Sequence, residues 1–248
     1  MRKIVLSNFK GGVGKTTCAV NLAVGIARAD KRVLLLDNDS QASATDALGI
    51  NGQANAGTYG LLVDGESPEE LVIQVEPNLH MICASKALSG ADSWLATQFR
   101  REEILNKRLR KISDYDFIIL DTAPAFSLLN LNALAWAQEV WMPVNMEYMA
   151  LQGVRQVLDN LNIVREELEH DVVVTYVIPT FVDARNSKTA AVLEALKEGF
   201  GPKVTPGIRT SVRLSEAPSY HQSIFDYAPR SAGAEDFSTV TRRILEHG

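Results

Sequence analysis

The sequence predicts an α/β fold, a mostly parallel twisted central sheet with helices on both faces. Short apolar runs alternate with longer amphipathic stretches. Runs such as FIILD and VVVTYVI are apolar on both faces, as strands buried in a parallel sheet are. A glycine-rich turn joins the first strand to the first helix. Taken in order, strands are expected at 3–7, 33–37, 79–83, 116–121, 139–144 and 172–179, with a further short one at 203–205. Between them 17–29, 93–111, 151–168 and 189–200 carry helical spacing, and 232–245 reads as a final helix. Crossovers between parallel strands are expected to be right-handed. The Gly/Asn-rich piece 49–60 reads as a long loop. No repeat, low-complexity tract or linker interrupts this order, so 1–248 is expected to form one domain.

Composition narrows the function classes. The chain has 248 residues, 46% hydrophobic and 22% charged, enough for one substantial core. A formal net charge of −5 excludes a molecule coated in basic surface, so any nucleic-acid contact is expected to be local and conditional. Two cysteines, Cys18 and Cys83, make neither a disulfide framework nor a zinc spacing, which fits a reducing cytoplasm. No signal peptide precedes the first strand, and no run approaches the roughly 18 apolar residues of a spanning helix.

The stretch SNFKGGVGKTTCAV follows a strand and opens a helix. Backbone N–H groups of such a glycine-rich loop close around phosphate oxygens, and the helix N-terminus adds partial positive charge. Against the pattern GxxxxGK[ST], Phe9 stands where the first glycine would fall, but the tail from Gly11 is intact. Gly11, Gly12, Val13, Gly14, Lys15, Thr16 and Thr17 are therefore nucleotide-binding candidates, with Lys15 for the phosphates and Thr16 for Mg²⁺. Lys10 is one lysine more than the loop needs. Two further strands end in acid: VLLLDNDSQASAT puts Asp37 and Asp39, and YDFIILDTAP puts Asp121, at the carboxyl ends where ligands meet an open α/β sheet. Asp121 has the position of a Walker B carboxylate.

Lys10 before Gly-Gly-Val-Gly-Lys-Thr-Thr resembles the deviant Walker A motif of the ParA/MinD family of P-loop ATPases. The resemblance runs almost end to end. EYMALQGVRQV and VRLSEAPSYHQSIFDYAPRSAGAEDF are similar to segments of the small, chromosomal Soj-like ParA proteins. It implies that Lys10 crosses an ATP-sandwich homodimer to the partner's phosphates, with Gly11 and Gly12 allowing close backbone approach. It also implies that Asp39 orients the attacking water, and that Asp37 and Asp121 join Thr16 around Mg²⁺. Catalysis would then rest on Lys10, Lys15 and Asp39. Ser40 replaces the family's proline, Ala42-Ser43 its Gly-Asn, and Thr122-Ala123-Pro124 its Asp-x-Pro-Pro pattern after the aspartate. By the same resemblance Pro179, Phe181, Ile208 and Arg209 lie near an adenine, so ATP is implied; no clear NKxD guanine signature is present.

The resemblance further implies non-specific DNA binding through Arg185 and Arg213, with Lys188, Lys197 and Lys203 extending the patch, and a ParB-like or adaptor partner that stimulates a slow hydrolysis. The protein would be cytoplasmic and nucleoid-associated, serving chromosome or plasmid segregation or the positioning of another cargo. The basic run 106–111 reads instead as the wet side of a helix. The alternative is a MinD-like membrane scaffold, which needs a C-terminal amphipathic helix with a basic polar face. Phe237, Val240, Ile244 and Leu245 form an apolar stripe, but Arg242 and Arg243 are followed at once by Glu246, so packing against the domain is expected rather than stable membrane association. An iron–sulfur relative would need thiolates after the nucleotide strands, where neither cysteine lies. With the first strand beginning at Lys3, no N-terminal helix-turn-helix and no operator-specific binding are expected.

Overall fold

The computed structural model describes residues 1–50, 56–147, 149–183 and 185–246, except the side chains of Ser187 and Lys188. Seven strands, β1 (Arg2–Leu6), β2 (Val33–Asn38), β3 (Ile73–Glu76), β4 (Leu79–Ile82), β5 (Phe117–Thr122), β6 (Glu139–Asn145) and β7 (Val173–Thr180), form one sheet in the order β3-β4-β2-β5-β1-β6-β7. Every pairing is parallel except β3 with β4.

Successive strand residues face opposite layers, and each layer is apolar. Ile4, Leu6, Leu35, Ile119 and Ile178 pack under the helices Lys15–Ala27 and Ala232–Glu246. Val5, Leu36, Leu120, Met142 and Val177 pack under Leu128–Trp136, Ala150–Leu168 and Ser187–Phe200. The C-terminal stripe is used inside the fold: Phe237, Val240 and Ile244 are fully buried. Among the described residues no helix is long and apolar enough to cross a membrane.

Three expectations are corrected, and one strand is added. The continuous helix at 93–111 is instead Ala91–Leu95, a short 3-10 turn Arg101–Glu103 and Ile104–Leu109. A straight helix would have carried Glu102 in the buried stripe of Leu95, Leu105 and Leu109, and the chain breaks at Arg100, whose φ is 49°, leaving Glu102 outside the core. Residues 203–205 make one bridge, Val177 with Val204, because Pro202 lies in a 3-10 turn that ends at Lys203. The antiparallel edge strand β3 was not expected. Within 49–60, the described part carries a helical turn, Gly57–Tyr59, continuing into Gly60–Asp64, while 51–55 lie outside the described residues. Gly57 has φ 56°, and a Cβ there would stand 2.2 Å from the Cys83 carbonyl oxygen. Its neighbour Thr58 donates to the Asp37 carbonyl at 2.6 Å, tying this segment to the end of β2.

Candidate nucleotide site

The loop after β1 reaches the helix Lys15–Ala27 through Gly14, whose φ of 84° is a left-handed conformation that costs glycine nothing. No side chain caps this 13-residue helix, so its first N–H groups are free to take an anion. Lys15 is buried, and its ammonium donates to the carbonyls of Asn8 at 2.9 Å and Lys10 at 3.4 Å. Burial pushes its pKa down, and the charges of Asp121 and Asp39 oppose this. Thr180 at the end of β7 donates to the Val13 carbonyl at 2.9 Å and props the loop from behind.

Parallel register sets Asp37 beside Asp121 on β2 and β5. Both are fully buried. Asp37 is held by the Thr45 N–H at 2.9 Å and hydroxyl at 2.8 Å, and accepts the Asp39 N–H at 3.1 Å. Burial pushes its pKa up despite these bonds. Asp121 is raised as well, first by burial and then by the Asp37 charge. Neither of its carboxylate oxygens has a hydrogen-bond partner of normal geometry, although the Thr16 hydroxyl is close enough to favour the ionised form. With folded-state pKa values raised, these two groups cost stability as pH rises from the ordinary carboxylate range through their folded values. A buried, unpartnered carboxylate beside a hydroxyl and a lysine is a hard-oxygen donor set that fits Mg²⁺. Among the described residues no cluster of three or more His, Cys, Asp or Glu could hold a metal.

A cleft of ≈ 870 Å³ opens above these groups. Gly12, Val13, Gly14, Lys15, Thr16, Thr17 and Asp39 line it on one side, and Leu214, Pro218 and Gln222 on the other. Asp37, Asp121, Lys10 and Gly11 are not part of its wall. Lys10 leaves the loop toward Glu147, with Nζ 2.6 Å from Oε2 in an exposed pair. Asp39 is nearly buried and accepts the Gln41 N–H at 2.9 Å. The following Ala42 has φ 53°, a left-handed conformation that costs a non-glycine residue about 1–2 kcal/mol. The Ser40 and Ala42-Ser43 departures therefore fall on a turn held under strain. A smaller cavity of ≈ 110 Å³ adjoins Gly14 and Thr17 and is lined by Phe181, Ile208 and Arg209. Phe181 has φ 54° and is half exposed. Pro179 lines neither cavity, but its carbonyl accepts the Ile208 N–H at 2.8 Å and so places the 207–210 segment. The Arg209 guanidinium is engaged with Asp236 and Glu235, each at 2.7 Å.

The basic candidates lie on loops, on a short helix and on the helix Ser187–Phe200. Arg185 is 91% exposed and pairs with Asp183 at 3.0 Å, and Arg213 pairs with Glu216 at 2.8 Å. Lys197 and Lys203 are exposed, while the Lys188 side chain lies outside the described residues. In the run 106–111, Lys107, Arg110 and Lys111 are exposed and Leu109 is buried, as a wet helix side requires. Sequence reasoning missed Asn8, Thr45, Glu147 and Thr180, each a partner of a site residue from another element. A hydroxyl or amide at a strand end or just beyond one is their only sequence signal, and Glu147 opens the quoted EYMALQG segment without revealing what it meets.

A protein-family profile described as an AAA domain matches residues 1–174. The sporulation initiation inhibitor protein Soj of Bacillus subtilis is 39% identical over 249 residues, covering 99% of this chain and 98% of that protein. The chromosome-partitioning ATPase Soj of Thermus thermophilus is 41% identical over 246 residues, with 99% and 96% covered. Among solved structures, cobyrinic acid a,c-diamide synthase from Mycobacterium smegmatis with bound ATP analog and magnesium superposes with a TM-score of 0.85 at 26% identity, covering 100% of this chain and 95% of that one. Kinship of this level along the whole chain, on a loop and strand-end carboxylates arranged as described, means that the chain belongs to the Soj/ParA family of the ParA/MinD superfamily of P-loop ATPases.

Proposed function

We propose that the chain, acting as a single ATPase domain over 1–248, is an ATP-switched partition ATPase. It binds ATP with Mg²⁺, pairs face to face with a second copy and holds DNA without sequence preference while paired. A ParB-like or adaptor partner accelerates hydrolysis and thereby releases the DNA. The observation that carries this reading is the division of labour between the two lysines. Lys15 is turned into the cleft wall, whereas Lys10 is held outside it by Glu147. A cation kept off its own site is suited to complete another.

In this reading the N–H groups of Gly12 to Thr17 hold the phosphates, and Lys15 exchanges the Asn8 and Lys10 carbonyls for phosphate oxygens. Thr16 would hold Mg²⁺ directly, with Asp121 and Asp37 behind it. When bound, the metal neutralises charge on the β- and γ-phosphate oxygens. Asp37 keeps the 39–45 turn in place through Thr45, and Asp39 orients the attacking water. The base rests by Phe181 and Ile208, with Pro179 and Arg209 fixing that segment. Lys10 of the second copy stabilises charge on the transferring phosphoryl group.

Arg185 and Arg213 supply sequence-blind phosphate contacts, in keeping with a cytoplasmic protein that associates with the nucleoid. Its cargo would be a chromosome, a plasmid or another assembly. Burial of the C-terminal stripe weighs against the membrane scaffold. DNA retardation with ADP, ATP and a non-hydrolysable analogue, repeated with vesicles of anionic lipid, tests the reading. Retention of DNA only with the triphosphates supports it, and nucleotide-dependent vesicle binding without DNA binding overturns it. Arg185→Glu should abolish retardation while ATP binding persists; unaltered retardation removes Arg185 from the DNA surface. Because its Asp183 pair is exposed, the substitution should leave folding intact.

A further inference from the structure

The turn after β5, residues 123–126, is tied at its two ends and held in its middle by one side chain. At its start the Thr122 hydroxyl donates to the Leu6 carbonyl at 2.6 Å, and beyond it the Ser127 hydroxyl accepts the Asn130 N–H at 3.3 Å and caps the helix Leu128–Trp136. Among the described residues no backbone group of 123–126 is hydrogen-bonded to another backbone group. The Asn130 side-chain amide instead donates to the Ala123 carbonyl at 2.7 Å and the Ala125 carbonyl at 2.5 Å. Both neighbours are acceptors, so only the NH₂ of the amide can face them. Its oxygen is buried and has no partner. An unsatisfied acceptor inside the fold costs stability, so packing does not account for this asparagine. The turn that it grips touches the phosphate loop. Pro124 borders the nucleotide cleft, a Cβ on Gly11 would lie 3.9 Å from the Pro124 ring, and Phe126 meets Phe9 edge to face with ring centroids 5.9 Å apart. Residues 123–126 therefore join the end of β5, where Asp121 stands, to residues 9–11.

We propose that Asn130 is a positioning residue of the nucleotide site: by gripping two carbonyls it holds the turn 123–126 against the phosphate loop and keeps the end of β5 in place beside that loop. The inference rests on the reading of the cleft as an ATP site. Asn130 does not line the cleft, so it acts through the turn. Pro124 cannot replace it, because the ring fixes only its own φ and leaves the flanking carbonyls free. Folding does not require the grip. Ala125 is exposed and Ala123 partly so, and carbonyls released there would find water. What the grip removes is movement of the turn, and a misplacement of about 1 Å by a change remote from the chemistry can cost about 10²-fold in rate.

Limited chymotrypsin digestion of the full chain without nucleotide tests the turn, and ATP titration with single-turnover hydrolysis tests the site. Phe126 lies in the turn and is 55% exposed, whereas Phe99 is 99% exposed on another segment, so cleavage after Phe99 is the internal reference. Asn130→Leu keeps the buried volume and removes both donors together with the unpaired oxygen. Its melting temperature should stay close to that of the wild type. Cleavage after Phe126 relative to Phe99 should rise about tenfold, because the turn opens more often. Turnover should fall about tenfold or more with ATP affinity unchanged. Asn130→Thr, whose single hydroxyl reaches one carbonyl at most, should change in the same directions to a lesser degree and serves if the leucine variant does not fold. Equal cleavage after Phe126 in wild type and variants overturns the grip. Faster cleavage with undiminished turnover overturns the positioning role. If the wild type binds no nucleotide, the reading of the cleft fails and the positioning role with it, while the cleavage ratio still decides whether Asn130 holds the turn.

Discussion

Lys10→Ala should bind ATP as the wild type does yet fail to pair, and its turnover should fall about a thousandfold or more. The first half follows from geometry, since Lys10 is not part of its own cleft wall and its ammonium is drawn to Glu147. The second half follows from the reaction. Phosphoryl transfer leaves the protein little to do beyond positioning and charge stabilisation, and a cation delivered from another subunit is worth about 10³–10⁵ in kcat. Losing the Glu147 pair has little bearing on the fold, because an exposed pair contributes under about 1 kcal/mol. The melting temperature should therefore stay near that of the wild type. Equilibrium ATP titration, light scattering and single-turnover hydrolysis separate the effects. Normal pairing by Lys10→Ala would remove the lysine from the interface, and weakened monomer binding would show that it serves its own site.

Lys15→Ala addresses the neighbouring lysine and should abolish ATP binding in the monomer. Its ammonium is the buried cation of the loop, and Lys86, which also lines the cleft, lies outside the loop on another segment. Unchanged affinity in a nucleotide titration would remove Lys15 from the site. The contrast matters because both lysines belong to the same loop: one substitution should remove binding, the other only what binding brings about.

Much of this arrangement is legible in the sequence because the same physics acts locally and globally. Six strands announce themselves as short apolar runs, and FIILD and VVVTYVI among them as apolar on both faces, since the sheet is covered on both sides. β3 does not, because an antiparallel edge strand reading IQVE is only partly buried and carries polar residues. The helix Leu128–Trp136 is also absent from the reading, its apolar and small residues giving a weak stripe next to a conspicuous strand. At the site, Lys15, Thr16 and Asp39 follow from motif and strand-end position. That Asp37 stands beside Asp121 follows only from the register of two strands far apart in sequence. The Lys10–Glu147 pair spans 137 positions, and the Phe9–Phe126 contact likewise joins distant loops. Such meetings are decided by tertiary folding and leave no local periodicity to read.

Asp39→Ala should collect as an ATP-bound pair that keeps its grip on DNA. Asp39 lines the cleft, and its backbone N–H is fixed by Asp37 while its carboxylate holds the Gln41 N–H. In the proposed reading, removing the carboxylate takes away the acceptor for the attacking water, and losses of about 10²–10⁴ in rate are typical for such a group. Nothing that pairs the subunits is removed, so hydrolysis stops while association persists. The carboxylate could instead matter only as the brace of the strained turn at Ala42, and Asp39→Asn separates the two roles. The amide oxygen can still accept the Gln41 N–H, but it is a far weaker base toward water. If Asp39→Asn also accumulates as a dimer without turnover, the residue acts on the water. Recovery of hydrolysis by the amide would assign Asp39 to the turn, and a monomeric elution profile with ATP for both variants would place it in pairing rather than in chemistry.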